Sequence, residues 1–586
     1  MILRFFKIFD RKEKVLFFIF FLLLIFSSFL ELLGIGLIVP VLNSFLSTDG
    51  YNTSNPLLNF FNQIVLFIKG DVQNNSLFPV YLFLGVFLIK ALYLLLLSIF
   101  QYLFIVKIGK KIFLKAYRTI IYQPYNFFIN KKVSASELIA TINRDCEVYS
   151  NSFMVSTAML ISDTTFIFFI FLFFFLINFK IAIFIIIFSA LILFIFKAIT
   201  NKKVKQLSIA RQQIEGIGIK HLQDTFLGVR EIKLSFKEKS FIQVFKNFFY
   251  KKIRLSSLLV VLNQLPRIWI ELMTILIALL VIYNLGNPNN LNNKLEFISI
   301  MAVYFVAFIR VAPPLNRIMI HFNSIKYAIP NIEKVLEYLD LGTKHYDREF
   351  KNTHNRFEFS SISLKNITYN YPGSKNKILK NANLNIKKGD IVGIVGKSGV
   401  GKSTLVDMIC GFLLPVKGQI IVNKKKLSSR NKNWQKKIGY VSQNSYLFND
   451  TIINNISLDF SEHNYTDLEI NKIKKVINIT QLNTSIKKLT NKLETKIGES
   501  GNNLSGGQRQ RIAIARALYR EPQLIIFDEA TVALDDKTEH KLINAIKKKY
   551  SKKKTIIIIS HRKSSLKLCD KIYEIKDKKI IKKKFL

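Results

Sequence analysis

The sequence predicts a membrane α-helical domain of six transmembrane helices, followed by an α/β domain built around a phosphate-binding loop. Three observations predict it. Phenylalanine, leucine and isoleucine crowd the first 340 of 586 positions, whereas lysine, asparagine and aspartate dominate the remainder. Six apolar stretches in the first part are long enough to cross a bilayer. In the second part, "DIVGIVGKSGVGKST" (390–404) reads as a strand, a glycine-rich turn and a helix start. The boundaries fall at 1–340 for the membrane domain, 341–357 for a linker and 358–586 for the α/β domain.

The spans are expected at about 15–46, 79–106, 151–177, 180–200, 255–284 and 296–320. The N-terminal apolar run is longer than a signal-peptide core and no small-residue cleavage site follows, so it reads as a retained first helix. Only "NFK" separates the third and fourth spans, which predicts a tight antiparallel hairpin. Arg4, Lys7, Arg11, Lys12 and Lys14 precede span one, and the segments after spans two and four are equally basic. The opposite loops carry only Lys69, Lys180 and Lys294, which places both termini in the cytoplasm. Positions 107–150 and 201–254 continue in helical periodicity beyond the membrane. "SNPLLNFFNQIVLFIKGD" (54–71), in the first outside loop, is short and amphipathic, and reads as an interfacial helix or a packed loop.

A formal charge of +46 raises the question of nucleic acid. The lysines are scattered among isoleucines with no nucleic-acid-binding motif, so no such partner is expected. Cys146, Cys410 and Cys569 lie far apart with no CxxC pair, which argues against zinc and against a disulfide framework.

Residues Gly396 to Ser403 fit G-x-x-x-x-G-K-[ST]. Gly396, Gly399 and Gly401 let backbone N–H groups approach phosphates, with Ser398 in the loop and Thr404 opening the helix. Lys402 would reach the β- and γ-phosphates of ATP, and Ser403 would ligate Mg²⁺. "QLIIFDE" (523–529) is an apolar strand ending in two acids. Asp528 would hold Mg²⁺, and Glu529 would polarise the attacking water. "NLSGGQRQR" (503–511) lies just upstream.

Together these motifs resemble the ATP-binding cassette (ABC) transporters, whose signature pentapeptide matches Leu504–Gln508. The resemblance extends over essentially the whole chain and makes the second domain an α/β P-loop ATPase (ABC) domain. It implies that Tyr371 stacks on adenine, that Gln443 senses Mg²⁺, that Asp535 forms the D-loop and that His561 contacts the γ-phosphate. Val532 departs from the family, which usually has serine there. Ser505, Gly506, Gly507 and Gln508 would serve a phosphate bound by a second copy, so the resemblance implies a homodimer with ATP and Mg²⁺ at two equivalent sites. "QPYNFF" (123–128) and "GVREIKLSF" (228–236) would carry motion to the membrane, as coupling elements do in the family.

The order of domains resembles exporters and flippases. Within the apolar spans, Lys90, Arg267, Arg310 and Arg317 stand against Glu31 and Glu271, and such charges are costly in lipid. Arg267 and Glu271 are spaced to pair on one helix, and Arg317 is placed to snorkel, whereas Lys90 and Arg310 have no local partner. A phosphate or pyrophosphate would offset these cations, and guanidinium suits it geometrically. "PRIWIEL" (266–272), "FIRVAPPLNRI" (308–318) and "LLNFF" resemble the bacterial flippase of lipid-linked oligosaccharides that serves protein N-glycosylation. That resemblance implies Lys90, Arg267, Arg310 and Arg317 as substrate residues, a polyprenyl-diphosphate glycan as cargo and the bacterial inner membrane as location. A lipid A-type lipid or a hydrophobic drug remains an alternative cargo. A peptide exporter with an N-terminal peptidase is not expected, because the sequence opens at span one.

Overall fold

The computed structural model describes residues 9–37, 41, 56–69, 78–129, 133–177, 179–285, 294–342, 357–428, 431–461, 464–530, 536–550 and 554–583. The chain divides into two compact units, Met1–Tyr122 with Val133–Arg348, and Gln123–Lys132 with Glu349–Leu586.

The first unit is helical. Its described elements are α1 (Arg11–Gly36), α2 (Pro56–Lys69), α3 (Phe78–Ile121), a helix from Ala135 to Ile177, α4 (Phe179–Leu227), α5 (Val229–Leu234), α6 (Glu238–Leu285) and α7 (Lys294–Asp340). Among the described residues, Arg11–Gly36, Phe78–Ile121 and Ala135–Leu176 are each long and apolar enough to cross a membrane. The helix from Ala135 carries two π-helical segments, Thr141–Asp145 and Val148–Met154. Such segments shift the phase of side chains around a helix. Here they accompany a buried polar network. Asp145 is fully buried and accepts hydrogen bonds from Arg144 at 2.6 Å and Asn331 Nδ2 at 2.7 Å, while Arg144 reaches Glu215 at 3.0 Å. The charged and amide donors all meet Oδ1 and offset part of the cost of burying the carboxylate, while Oδ2 is buried with no hydrogen-bond partner.

The amphipathic stretch 54–71 contains the helix α2. Phe61 and Val65, four residues apart and therefore on one face, are buried. Phe61 lies so close to Gly36 that any side chain there would collide with its ring. Phe60, Leu66, Phe67 and Ile68 stay exposed, so α2 presents a second apolar face outward. The stretch 228–236 contains the short helix α5, with Leu234 and Phe236 exposed.

The second unit contains a four-stranded antiparallel sheet and a six-stranded, mostly parallel sheet. The strands are β1 (Ser361–Tyr369), β2 (Leu379–Lys387), β3 (Ile391–Val395), β4 (Lys417–Val422), β5 (Lys425–Lys426), β6 (Ile438–Val441), β7 (Leu524–Asp528), β8 (Thr555–Ile559), β9 (Lys571–Lys576) and β10 (Lys579–Lys583). The four-stranded sheet has the order β2-β1-β4-β5 and the six-stranded sheet the order β10-β9-β3-β8-β7-β6; in the latter β9, β3, β8, β7 and β6 run parallel to one another and β10 pairs antiparallel with β9. β7 and β8 are buried along their whole length, which explains their unbroken runs "LIIFD" and "TIIII". Helix α8 (Lys402–Ile409) follows β3, and α9 (Gly506–Tyr519) precedes β7. The segment 123–132 counts with this unit, and its Tyr125 ring lies 5.0 Å from Phe412.

Candidate active site

Four neighbouring parallel strands end on one edge of the six-stranded sheet, where open α/β sheets place their ligands. β3 runs into the phosphate loop. Gln443 lies two residues beyond β6, Asp528 closes β7, and His561 lies two residues beyond β8. Gly399 (φ +76°) and Gly401 (φ +109°) adopt the left-handed backbone region, and a Cβ on Gly401 would lie 2.7 Å from Ile378 Cγ2. Glycine at 401 therefore follows from both backbone conformation and space. The loop, with Gly396 and Ser398, feeds straight into α8, whose unpaired N–H groups form a natural anion cradle.

Lys402 is buried. Its Nζ donates to the Gly396 carbonyl at 2.8 Å, and it lies 2.8 Å from His561 Nε2 and 3.7 Å from Glu529. Glu529 turns out of β7 with φ +51°. Its carboxylate accepts from Gln443 Nε2 at 2.7 Å and stands 3.3 Å from His561 Nε2. Four strand ends thus gather Lys402, Gln443 and His561 around the Glu529 carboxylate. That arrangement can bind a phosphate through Lys402 and orient a water against Glu529.

Asp528 is buried beside them and accepts from the Tyr440 hydroxyl at 3.2 Å. Burial pushes its carboxyl above the usual carboxylate range, with Glu529 adding to the shift and the Tyr440 bond opposing it. Asp407, on α8, is pushed up to about 6, chiefly by burial and then by Asp528. The hydroxyl of exposed Ser403, the Asp528 carboxylate and the Gln443 amide form a hard oxygen donor set, which suits Mg²⁺. When bound, that ion would neutralise charge on the phosphate oxygens. Tyr440 and Asp407 were not among the sequence candidates. Their signal was proximity in the chain alone, three residues before Gln443 and five after Lys402.

Tyr371 is half-buried, with its hydroxyl 3.0 Å from Thr404 Oγ1 and its ring edge-on to Tyr369. Ser505 caps α9. It accepts from Gln508 N at 3.3 Å while Gln508 Oε1 accepts from Ser505 N at 2.8 Å, leaving Gly506 and Gly507 in the first turn. Among the described residues, no hydrogen bond or ion pair joins Ser505, Gly506 or Gly507 to Lys402, Glu529 or His561. Val532 and Asp535 lie outside the described residues.

Lys90 and Arg317 are held differently from the sequence expectation. Lys90 does have a partner: its Nζ lies 2.6 Å from Glu31 of α1, with both groups shielded. The pair joins residues 59 positions apart, which local spacing could not reveal. Arg317 does not extend freely toward water but grips buried Asp163, with Nη2 at 2.6 Å and Nε at 3.1 Å from both oxygens. Asp163 belongs in the acid balance of span three and was missed there. Arg267 pairs with Glu271 at 2.9 Å along one exposed helix face. The Arg310 side chain lies outside the described residues.

The family model of the ABC transporter transmembrane region matches residues 17–310, and a second model, described as ABC transporter, matches 379–532. The chain belongs to the ABC transporter family. This transporter is 30% identical over 471 residues to the ATP-dependent lipid A-core flippase of Wigglesworthia glossinidia brevipalpis, spanning 79% of this chain and 78% of that protein. It is 41% identical over 221 residues to an alpha-hemolysin translocation ATP-binding protein of Escherichia coli. That match takes in 38% of this chain but only 30% of the relative's length. A solved bacterial Atm1-family ABC exporter with ATP bound shares the fold, with a TM-score of 0.78 over 97% of this chain and 94% of that one, at 19% identity. The transporter thus has an exporter-type architecture, membrane region first and nucleotide domain second.

Proposed function

We propose that this transporter is an ATP-driven flippase that moves an amphipathic anionic lipid across the bacterial inner membrane as a homodimer with cytoplasmic termini. The observation that carries the reading is the similarity to a lipid A-core flippase over four-fifths of both chains. The convergence of Lys402, Gln443, Glu529 and His561 supports ATP as the energy source. In this mechanism Lys402 exchanges the Gly396 carbonyl and Glu529 for β- and γ-phosphate oxygens. Glu529, released, accepts a proton from water, while His561 and Gln443 hold their places around the γ-phosphate. Ser505, Gly506 and Gly507 of a second copy complete the site, and Tyr371 offers a ring face to adenine.

For cargo we assign a polyprenyl-diphosphate-linked oligosaccharide, supported by the arginine-bearing stretches 266–272 and 308–318. A lipid A-type lipid is the second reading, favoured by the same 471-residue similarity. The test is ATP-dependent transfer in proteoliposomes, scored as protection of fluorescent polyprenyl-diphosphate glycan from an external glycan-modifying enzyme. Transfer that requires ATP and Glu529 supports the assignment. Transfer of lipid A or a drug, with none of the glycan lipid, removes this cargo and keeps the ATPase.

A further inference from the structure

A pair of cations that the sequence reading did not single out lies where α4 and α7 meet. Lys326 on α7 has its Nζ shielded from solvent, with no hydrogen-bond partner. It lies 4.2 Å from the centroid of the Phe322 ring. Lys197 on α4 reaches the same ring, its Nζ 5.4 Å from the centroid. Among the described residues, neither ammonium carries an ion pair. A phenyl face compensates an ammonium only in part, and two like charges sharing one ring repel each other. A desolvated ammonium without an acceptor is costly. Among the described residues, no acceptor repays that cost.

The surroundings indicate what would. Lys197 is exposed, and so are Phe194, Ile195 and Ile199 around it, an apolar surface suited to acyl or prenyl chains. Deeper along α7, Asn323 is buried, with its Oδ1 unpartnered, and donates to Asn263 at 3.1 Å. Lys326 follows Arg317 by nine residues, about 13 Å of helix at 1.5 Å per residue. The two lysines thus form a cationic step on the cytoplasmic side of the Arg317–Asp163 pair, open laterally to lipid.

We propose that Lys197 and Lys326 are a headgroup site for a phosphate- or diphosphate-bearing lipid entering from the cytoplasmic leaflet. The site rests on the lipid-flippase reading and adds the residues that first engage the headgroup. A phosphate group supplies acceptor oxygens and negative charge to both ammonium groups, while its tail covers the exposed apolar side chains. The neighbouring apolar surface favours a lipid over a free anion.

The experiment is equilibrium binding of a radiolabelled short-chain polyprenyl diphosphate to the purified full chain in an uncharged detergent, without nucleotide. Lys197→Gln with Lys326→Gln is expected to weaken binding at least about tenfold, ~1.4 kcal/mol, and the double Lys→Arg variant to retain it. Unchanged affinity in the Gln variant overturns the site. Inorganic pyrophosphate that competes as well as unlabelled lipid makes it a free-anion site and overturns the lipid assignment. Lys197→Gln alone removes an exposed side chain, so lost binding there cannot be laid to misfolding. Thermal unfolding of unliganded Lys326→Met supplies an independent check. A rise in Tm agrees with an ammonium held for a ligand, whereas a fall marks it as a structural anchor and overturns the proposal. Lysine-dependent binding without ATP-driven transfer in proteoliposomes would refute the flippase reading and leave this site standing.

Discussion

Replacing Glu529 by glutamine tests the ATPase site most directly. The carboxylate has three neighbours: Gln443 Nε2 at 2.7 Å, His561 Nε2 at 3.3 Å and Lys402 Nζ at 3.7 Å. Glutamine keeps the volume and one acceptor oxygen but cannot take a proton from water. Loss of a general base costs about 10²–10⁴-fold in rate, equivalent to ~3–5 kcal/mol of barrier. Binding should move the other way. A full charge at that range of Lys402 is worth ~4 kcal/mol at an effective dielectric near 20, before desolvation is counted. It competes with the phosphates for Lys402. Glu529→Gln is therefore expected to bind ATP at least as tightly as the wild type while releasing phosphate at least a hundredfold more slowly. Phosphate release and equilibrium binding of a fluorescent ATP analogue read the two effects separately. Turnover within a few fold of wild type would refute the role of Glu529, and loss of ATP affinity would refute the competition for Lys402.

Three further outcomes follow from the geometry. Glu31→Ala strands the buried Lys90 ammonium and should destabilise the detergent-solubilised chain by about 3–5 kcal/mol, whereas Glu31→Leu with Lys90→Met should recover most of it; thermal unfolding of both variants checks this. Asp407 has a folded pKa raised to about 6, so its contribution to stability is fully present below the unfolded carboxylate value and is lost as pH rises through about 6. Asp407→Asn should accordingly raise Tm at pH 8 and leave it nearly unchanged at pH 4. Ser505→Ala removes the cap of α9 and should cost about 1 kcal/mol, seen as faster hydrogen exchange at the Gly507, Gln508 and Arg509 amides.

The nucleotide site was legible because each of its motifs is tied to a strand end by short-range geometry. A glycine loop must follow β3, and paired acids must close a buried apolar strand, so sequence order alone places Lys402, Asp528 and Glu529. Asp407 and Tyr440 escaped notice because their proximity to Asp528 arises from sheet order and from the helix behind it. The membrane charges were legible as an anomaly but not as pairs. Lys90–Glu31 and Arg317–Asp163 join different helices, and helix–helix register leaves no local periodicity to read. Arg267–Glu271, four residues apart on one helix, was readable for the opposite reason. The lysines around Phe322 went unread because a lysine near a span end looks like an interfacial anchor until its partners are known.

The short helix α8 has a mechanical consequence. Its first residue is Lys402, and the chain just beyond its last turn carries Phe412, whose ring meets Tyr125. Eight helical residues make a strut about 12 Å long, and close-packed interiors resist compression. Tyr125 belongs to a ten-residue excursion that leaves the first unit at Tyr122 and rejoins it at Val133. Phosphates drawing on one end of the strut and this excursion resting near the other share a single stiff member. A shift at the phosphate loop would therefore be expected to reach the Phe412–Tyr125 contact nearly undiminished, and loosening that contact should weaken the link.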